Sequence, residues 1–324
     1  MALQCALCPK GCILNPGESG NCRIRINLDD RLLAVTYAHP CSVHIDPVEK
    51  KPLFHFLPGT TILSLATVGC NLHCKNCQNW EISQCNPEDS RSYHIPPEQV
   101  VELAERYRTP SIAYTYTEPV AYYEYTLDCC IRARERGIFN VLVTAAYINP
   151  GPWRELCRWT DAANIDLKAF SDRFYREVCD GTLQPVLNAL VTAREMGVCV
   201  EVTNLVIPTL NDSDEDFRNL SRWIVREMGP DTPLHFSRFF PHYRMRHLPP
   251  TPLDTLTRAR SIAMAEGLTF VYIGNVLTRD AENTVCPGCG RVLVRRRGYT
   301  ILENHLTTGR CPFCGRRIYG KWTL

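Results

Sequence analysis

Between Thr61 and Gly274 the chain alternates short, almost wholly apolar runs with longer amphipathic ones. "TILSLAT" (61–67), "SIAYTY" (111–116), "FNVLVT" (139–144), "AANIDLK" (162–168), "VCVEVTNLVI" (198–207), "LHFSRFF" (234–240) and "TFVYIG" (269–274) have the composition of strands buried on both faces. The segments between them carry helical periodicity. Residues 97–108 open with Pro97, 121–137 close at Gly137, 185–197 close at Gly197, and 213–229 begin with a Ser213 cap and an acidic first turn. Shorter or weaker helices are predicted at 151–160 and 253–267. This strand–helix alternation predicts an α/β fold, a partial (β/α) TIM-type barrel of parallel strands. A doubly wound open sheet is the competing arrangement, weakened because no G-x-G-x-x-G follows any strand. Residues 31–38 are predicted to form a strand. The Pro- and Gly-broken stretch "VHIDPVEKKPLFHFLPG" (43–59) is predicted to be loop. The expected organisation is a Cys-rich N-terminal segment (1–60), the barrel (61–275) and a small C-terminal module (276–324).

A formal net charge of +2 offers no bulk attraction to nucleic acid or to an anionic membrane. No apolar run approaches the roughly 18 residues of a spanning helix, and "MALQCALCPKGC" has no apolar signal-peptide core. A cytoplasmic protein is therefore expected. Against that background 18 cysteines in 324 residues stand out. In a reducing compartment, clustered thiols read as metal sites rather than disulfides.

Eleven of them fall into three clusters. Cys286-x2-Cys289 and Cys311-x2-Cys314 form two "CPxCG" knuckles, which predict a zinc-ribbon-like module with one tetrahedral zinc. An auxiliary iron–sulfur cluster is the alternative there. Cys5, Cys8, Cys12 and Cys22 also suffice to close a site, where a second zinc and an auxiliary cluster stand level. Cys70, Cys74 and Cys77 number only three, in "GCNLHCKNCQNWEIS" directly after the first barrel strand. A [4Fe–4S] cube normally takes four thiolates. Three leave one iron open for a ligand, at the face where barrel chemistry is assembled. A zinc site completed by His73, or three unrelated core thiols, are the plainer readings.

Other residues carry chemistry by position. Glu118 ends the second strand in "YTYTEP". Asp166 and Lys168 lie two apart in "NIDLK", on one face of a strand, as an internal salt bridge or a cofactor-facing pair. Asn204 in "EVTNLVIP" and His242 in "FFPHYR" sit near strand ends. The basic stretch 291–300 reads as a hairpin with a solvated face.

Taken together, C-x3-C-x2-C after the first strand of an α/β barrel resembles the radical S-adenosylmethionine (SAM) enzymes. Within them the chain resembles the pyruvate formate-lyase (glycyl-radical enzyme) activating enzymes. "CALCPKGC…GNCRIR", "DPVEKKPLFHFLPG", "YTYTEP", "NIDLKAF" and the two knuckles make it more similar still to the AmmeMemoRadiSam system radical SAM proteins. The resemblance implies an oxidoreductase in which a [4Fe–4S] cluster reductively cleaves SAM to a 5′-deoxyadenosyl radical that abstracts hydrogen from a protein or peptide residue. It implies SAM contacts at Glu118, Asp166, Lys168, Asn204 and His242. It also implies a one-electron donor such as flavodoxin or ferredoxin, and linkage to Memo-type and AMMECR-type proteins. Tyr116 and Thr117 stand where the superfamily has paired glycines before Glu-Pro, and Val143 replaces an acidic residue of the activases. The competing function is a zinc-stabilised nucleic-acid-binding or adaptor protein without redox chemistry, for which the basic hairpin and the two four-cysteine clusters speak.

Overall fold

The computed structural model describes residues 1–324. Eight strands form one sheet: β1 (Ser42–Pro47), β2 (Thr61–Ala66), β3 (Ser111–Tyr114), β4 (Phe139–Thr144), β5 (Ala162–Asp166), β6 (Cys199–Val206), β7 (Leu234–Arg238) and β8 (Val271–Gly274). They lie side by side in chain order, with β2 to β8 parallel and β1 antiparallel on the outer edge of β2. Each parallel step crosses over through one main helix, with shorter helical turns added in some: α1 (Pro97–Arg106), α2 (Tyr123–Glu135), α3 (Pro150–Cys157), α4 (Leu183–Glu195), α5 (Asp214–Met228) and α6 (Leu253–Ala265). β1 and β8 do not pair, so the barrel is partial.

Alternation along the strands sorts the side chains. Leu63, Leu65, Ile112, Leu142, Ile165, Val202 and Phe236 belong to the 61-residue core shared with the helices. α5 shows how a helix is recruited to it. Ser213 and Asp216 form a capping box, and Phe217, Leu220, Ile224 and Met228 bury one face. Each such side chain contributes about 1.5–3 kcal/mol of burial. The opposite strand faces point into the barrel, where Ile62, Ala113, Val141 and Ala162 pack on Val48, Leu53, Phe56 and Leu57.

Residues 43–59 are therefore not a loop. They supply β1 and then a plug that fills the N-terminal end of the barrel, so the sheet begins inside the segment assigned to 1–60. Proline and charge conceal this element because its polar groups are buried in pairs: Lys51 is 2% exposed and holds Asp46 at 2.6 Å. The predicted strand at 31–38 is shorter, Arg31–Ala34, paired with Arg25–Leu28. A π-helical turn at Tyr175–Cys179 was not legible in the pattern.

The C-terminal module is a three-stranded antiparallel sheet (Thr284–Val285, Val292–Arg297, Thr300–Asn304). Ten buried residues, among them Phe54, Tyr272, Leu293 and Trp322, join it to the plug and to β8. The Leu57 amide donates to the Lys321 carbonyl at 2.7 Å and the Lys321 amide to the His55 carbonyl at 2.8 Å. Gly320 makes that approach at φ +131°, and a Cβ there would lie 2.3 Å from the His55 oxygen. The hairpin is less solvated than its composition predicts. Arg296 is buried and donates to the Phe54 carbonyl at 2.7 Å, while Arg295 pairs with Glu303.

Candidate functional site

A cavity of about 520 Å³ opens at the C-terminal ends of the strands. Cys70, Cys74 and Cys77 line one side, and Glu118, Asp166 and Lys168 line others. A larger, open depression of about 950 Å³ at the opposite end is basic, lined by Arg134, Arg158, Arg194 and Lys321, and holds none of the three thiols.

The thiol loop leaves β2 through Gly69, at φ +91°. A Cβ there would lie 2.6 Å from the Cys22 carbonyl, so the N-terminal segment packs directly on the loop backbone. The loop is fixed from below by the π-helical turn, whose Cys179 and Val178 carbonyls accept from the His73 and Lys75 amides at 3.0 and 2.9 Å. Its exit, a short helix at Trp80–Ser83, is held by Trp80 stacked on Tyr243 at 5.2 Å. His73 is occupied elsewhere: its ring bonds Gln84 at 2.6 Å and Asn21 at 2.8 Å. That removes the zinc site completed by His73. Burial, with the Glu118 charge adding to it, holds the Cys70 thiol well above the usual range, and burial raises Cys77 too. Loading metal there must therefore release protons.

Glu118 is 2% exposed. Its carboxylate accepts from the Thr144 hydroxyl, the Ala145 amide at 2.8 Å and the Val120 amide at 3.3 Å. Burial nevertheless pushes its carboxyl up to about 7. Desolvation wins because those bonds replace only part of the lost hydration. Lys168 pairs with Asp166 at 2.6 Å. Burial works against its charge, but the Asp166 carboxylate holds the ammonium well above its ordinary value.

Tyr116 adopts φ +64°, a conformation that favours glycine. Its hydroxyl donates to Asp46, the Lys51 ammonium lies 4.4 Å above its ring, and Asn79 donates to its carbonyl at 2.7 Å. These contacts hold a tyrosine where the sequence comparison had expected glycine. Burial would raise the Asp46 carboxyl, yet Lys50, Lys51 and Tyr116 keep it below the usual range.

Two expected site residues lie elsewhere. Asn204 does not line the cavity. Strand alternation turns Thr203 and Leu205 inward, and the Asn204 amide donates to the Leu167 and Lys168 carbonyls at 2.8 and 3.2 Å. His242 is exposed and lies off the cavity, beyond the end of β7, where Ser237 is the inward residue. Reasoning from sequence missed Thr203, Ser237, Asn76 and His235, all on the cavity wall. Thr203 pairs with Asp166 and Ser237 with Leu205 across the sheet, a register that sequence alone does not state. Below them an interior polar chain runs from His235 to Glu201 (2.7 Å). Glu201 accepts from the His55 amide (2.7 Å), and the His55 ring meets the Tyr272 hydroxyl (2.6 Å).

The residues present fit a cluster and a polar ligand. Three thiols share one wall, and Asn76 Oδ1 and Thr203 Oγ1, both buried on the cavity lining, have no protein partner. Such orphaned atoms are costly unless a ligand or water meets them.

The C-terminal thiols are arranged differently. Cys286 and Cys314 sulfurs are 3.5 Å apart, Cys289 and Cys311 3.7 Å, and all four lie within 4.8 Å of one another. Sulfurs about 2.3 Å from a central tetrahedral ion have that spacing. Cys5, Cys8, Cys12 and Cys22 surround a separate small cavity of about 20 Å³ that Asn71 also lines.

A partial barrel with a three-thiol loop at its mouth is the architecture of enzymes that hold a reactive cluster. The chain belongs to the radical SAM superfamily: the family model "Radical SAM superfamily" matches residues 64–224. An uncharacterized protein of Methanocaldococcus jannaschii is 47% identical over 318 residues, covering 98% of this chain and 95% of that one. The pyruvate formate-lyase-activating enzyme of Clostridium pasteurianum is 24% identical over 165 residues, 48% of this chain and 66% of that enzyme. Among solved structures, Streptococcus suis SuiB bound to S-adenosylmethionine superposes with a TM-score of 0.52 at 14% identity, over 70% of this chain and 53% of SuiB. A radical SAM methyltransferase from Sphaerobacter thermophilus gives 0.52 at 17% identity, over 68% of each chain. At these identities the structural likeness speaks for the fold. No helix is long and apolar enough to cross a membrane.

Proposed function

We propose that the protein cleaves SAM reductively on a [4Fe–4S] cluster held by Cys70, Cys74 and Cys77, and that it acts on a protein or peptide residue as an activating-enzyme-like oxidoreductase. The observation that carries the reading is the three-thiol wall of a cavity at the barrel mouth, with an acid and an ion pair on its other sides. When loaded, the cluster and SAM supply the one-electron cleavage that generates the hydrogen-abstracting radical.

The chain's own groups position and enclose. Glu118, once ionised, is placed to receive the SAM ammonium group, and the Thr144 hydroxyl and Ala145 amide fix its orientation. Lys168 offers its ammonium to the SAM carboxylate while Asp166 keeps it charged. Thr203 and Asn76 supply free hydrogen-bonding atoms for the remaining polar groups. The plug under the barrel floor keeps water from entering from below.

The C-terminal knuckles hold zinc in this reading, because their sulfur spacing suits one tetrahedral ion. The similarity to an activating enzyme supports a protein acceptor and a flavodoxin- or ferredoxin-type donor, with Memo-type and AMMECR-type proteins as acceptors to try first. The test is anaerobic turnover with SAM and a reductant. 5′-Deoxyadenosine should form, and mass spectrometry of added acceptor proteins should identify the modified residue. Colourless protein without 5′-deoxyadenosine would favour the zinc-stabilised adaptor.

A further inference from the structure

The four N-terminal thiols are not absorbed by that function. They do not share the arrangement of the C-terminal knuckles, where two pairs converge within 4.8 Å. Cys5, Cys8 and Cys12 come from one eight-residue stretch and Cys22 arrives separately. Thiols that line one space without closing on a single point suit a cube, whose thiolates sit on separate irons, better than one tetrahedral ion. All four line one enclosed space, with Lys10 and Arg25 beside them. Both cations are already paired, Arg25 bidentately with Glu124 at 2.7 Å and Lys10 with Asp180 at 2.7 Å, so they tie the thiol segment to the helix α2 and to the end of the π-helical turn. The Asn21 amide points at the Cys12 sulfur (3.5 Å).

This cavity is built against the thiol loop. Asn71, next to Cys70 in the chain, lines it beside Cys8, with its amide donating to the Tyr147 carbonyl at 2.7 Å and its Oδ1 without a partner. The Cys22 carbonyl abuts Gly69. Lys10 reaches Asp180 at 2.7 Å, at the end of the π-helical turn that carries the loop's backbone bonds. On the other side, Asn149 fastens the segment by bonding the Ala6 and Leu7 carbonyls at 2.7 and 3.0 Å. A mere structural stud would not need to share a residue with the loop it adjoins.

We propose that Cys5, Cys8, Cys12 and Cys22 hold a second [4Fe–4S] cluster that relays electrons to the cluster at Cys70, Cys74 and Cys77. One electron enters from a reduced flavodoxin- or ferredoxin-type donor, reduces the N-terminal cluster by one, and passes on unchanged in number, with no bond made or broken at the relay. The relay role rests on the reading given above; the metal assignment does not.

The test uses the full chain, reconstituted anaerobically. Wild type should carry about eight iron and eight acid-labile sulfide per chain, and the Cys70→Ala, Cys74→Ala, Cys77→Ala triple variant should keep about four of each, as one cube per site requires. A triple variant with no iron and sulfide, or a wild type with only one cube and two zinc ions, overturns the assignment even if SAM cleavage succeeds. The Cys5→Ser, Cys12→Ser variant should lose one cube, keep 5′-deoxyadenosine formation with dithionite, and lose it with reduced ferredoxin. Equal rates with both reductants would overturn the relay. If that variant does not fold, the wild-type and triple-variant counts still decide the site.

Discussion

Asp166 and Lys168 stand two residues apart and pair at 2.6 Å, with both side chains on the cavity wall. The pair is a salt bridge that also opens onto the cavity, since both groups remain partly open, at 32% and 19% side-chain exposure. Lys168→Met leaves Asp166 without its partner. With partial solvent screening the expected loss of stability is about 1–2 kcal/mol. SAM affinity should fall about tenfold, as loss of one charge-assisted hydrogen bond implies. The Lys168→Met, Asp166→Leu double variant should recover stability but not affinity. Anaerobic SAM titration beside thermal unfolding separates the two effects, and recovery of both would make the pair purely structural.

Glu118 gives a pH signature. Its folded pKa, raised by burial to about 7, exceeds the usual carboxylate value, so the folded protein holds that proton more tightly than the unfolded chain. The group's contribution to stability is full below about 4.3 and is lost as pH rises toward about 7, by up to about 4 kcal/mol. Denaturation of the apoprotein between those pH values should therefore show a downward slope that Glu118→Gln flattens. SAM affinity should run the other way, falling as pH drops below 7 in wild type and changing less in the variant.

The metal sites should separate chemically. Cys311→Ala breaks the four-sulfur group and should release zinc while iron stays constant, because metal binding and folding are coupled in such modules. The His55–Lys321 and Phe56–Lys321 contacts should then loosen, which amide hydrogen exchange at residues 55–57 reads directly. Iron loss with zinc retained would assign an auxiliary cluster to the knuckles instead.

Gly69→Ala tests the packing of the N-terminal segment on the thiol loop. A Cβ 2.6 Å from the Cys22 carbonyl forces a shift, and φ +91° adds strain. Destabilisation of about 2–4 kcal/mol is expected, seen as a lower Tm. An unchanged Tm would show the segment able to move away freely.

The barrel was legible in the sequence because its strands are buried on both faces and its helices carry caps and periodicity. Ser213 at the start of α5 is one such cap. The thiol loop was legible by spacing alone. That Asn204 and His242 lie off the cavity was not legible, because the face of a strand-end residue depends on register, which a motif does not state: Thr203, one residue earlier, faces the cavity, and on β7 Ser237 does. β1 and the plug were hidden because their burial is achieved by an Asp46–Lys51 ion pair rather than by apolar periodicity. Arg296 looked like solvated charge because its acceptor, the Phe54 carbonyl, is 242 residues away.

The proposed role of Cys70, Cys74 and Cys77 as ligands of the SAM-cleaving cluster has a direct readout. The most direct test is 5′-deoxyadenosine formation under reducing, anaerobic conditions by wild type and by the three single Cys→Ala variants. Product is expected from wild type and none from any variant, with SAM-dependent perturbation of the cluster's electron paramagnetic resonance signal lost in each. Wild-type product levels in any one of the three would contradict it.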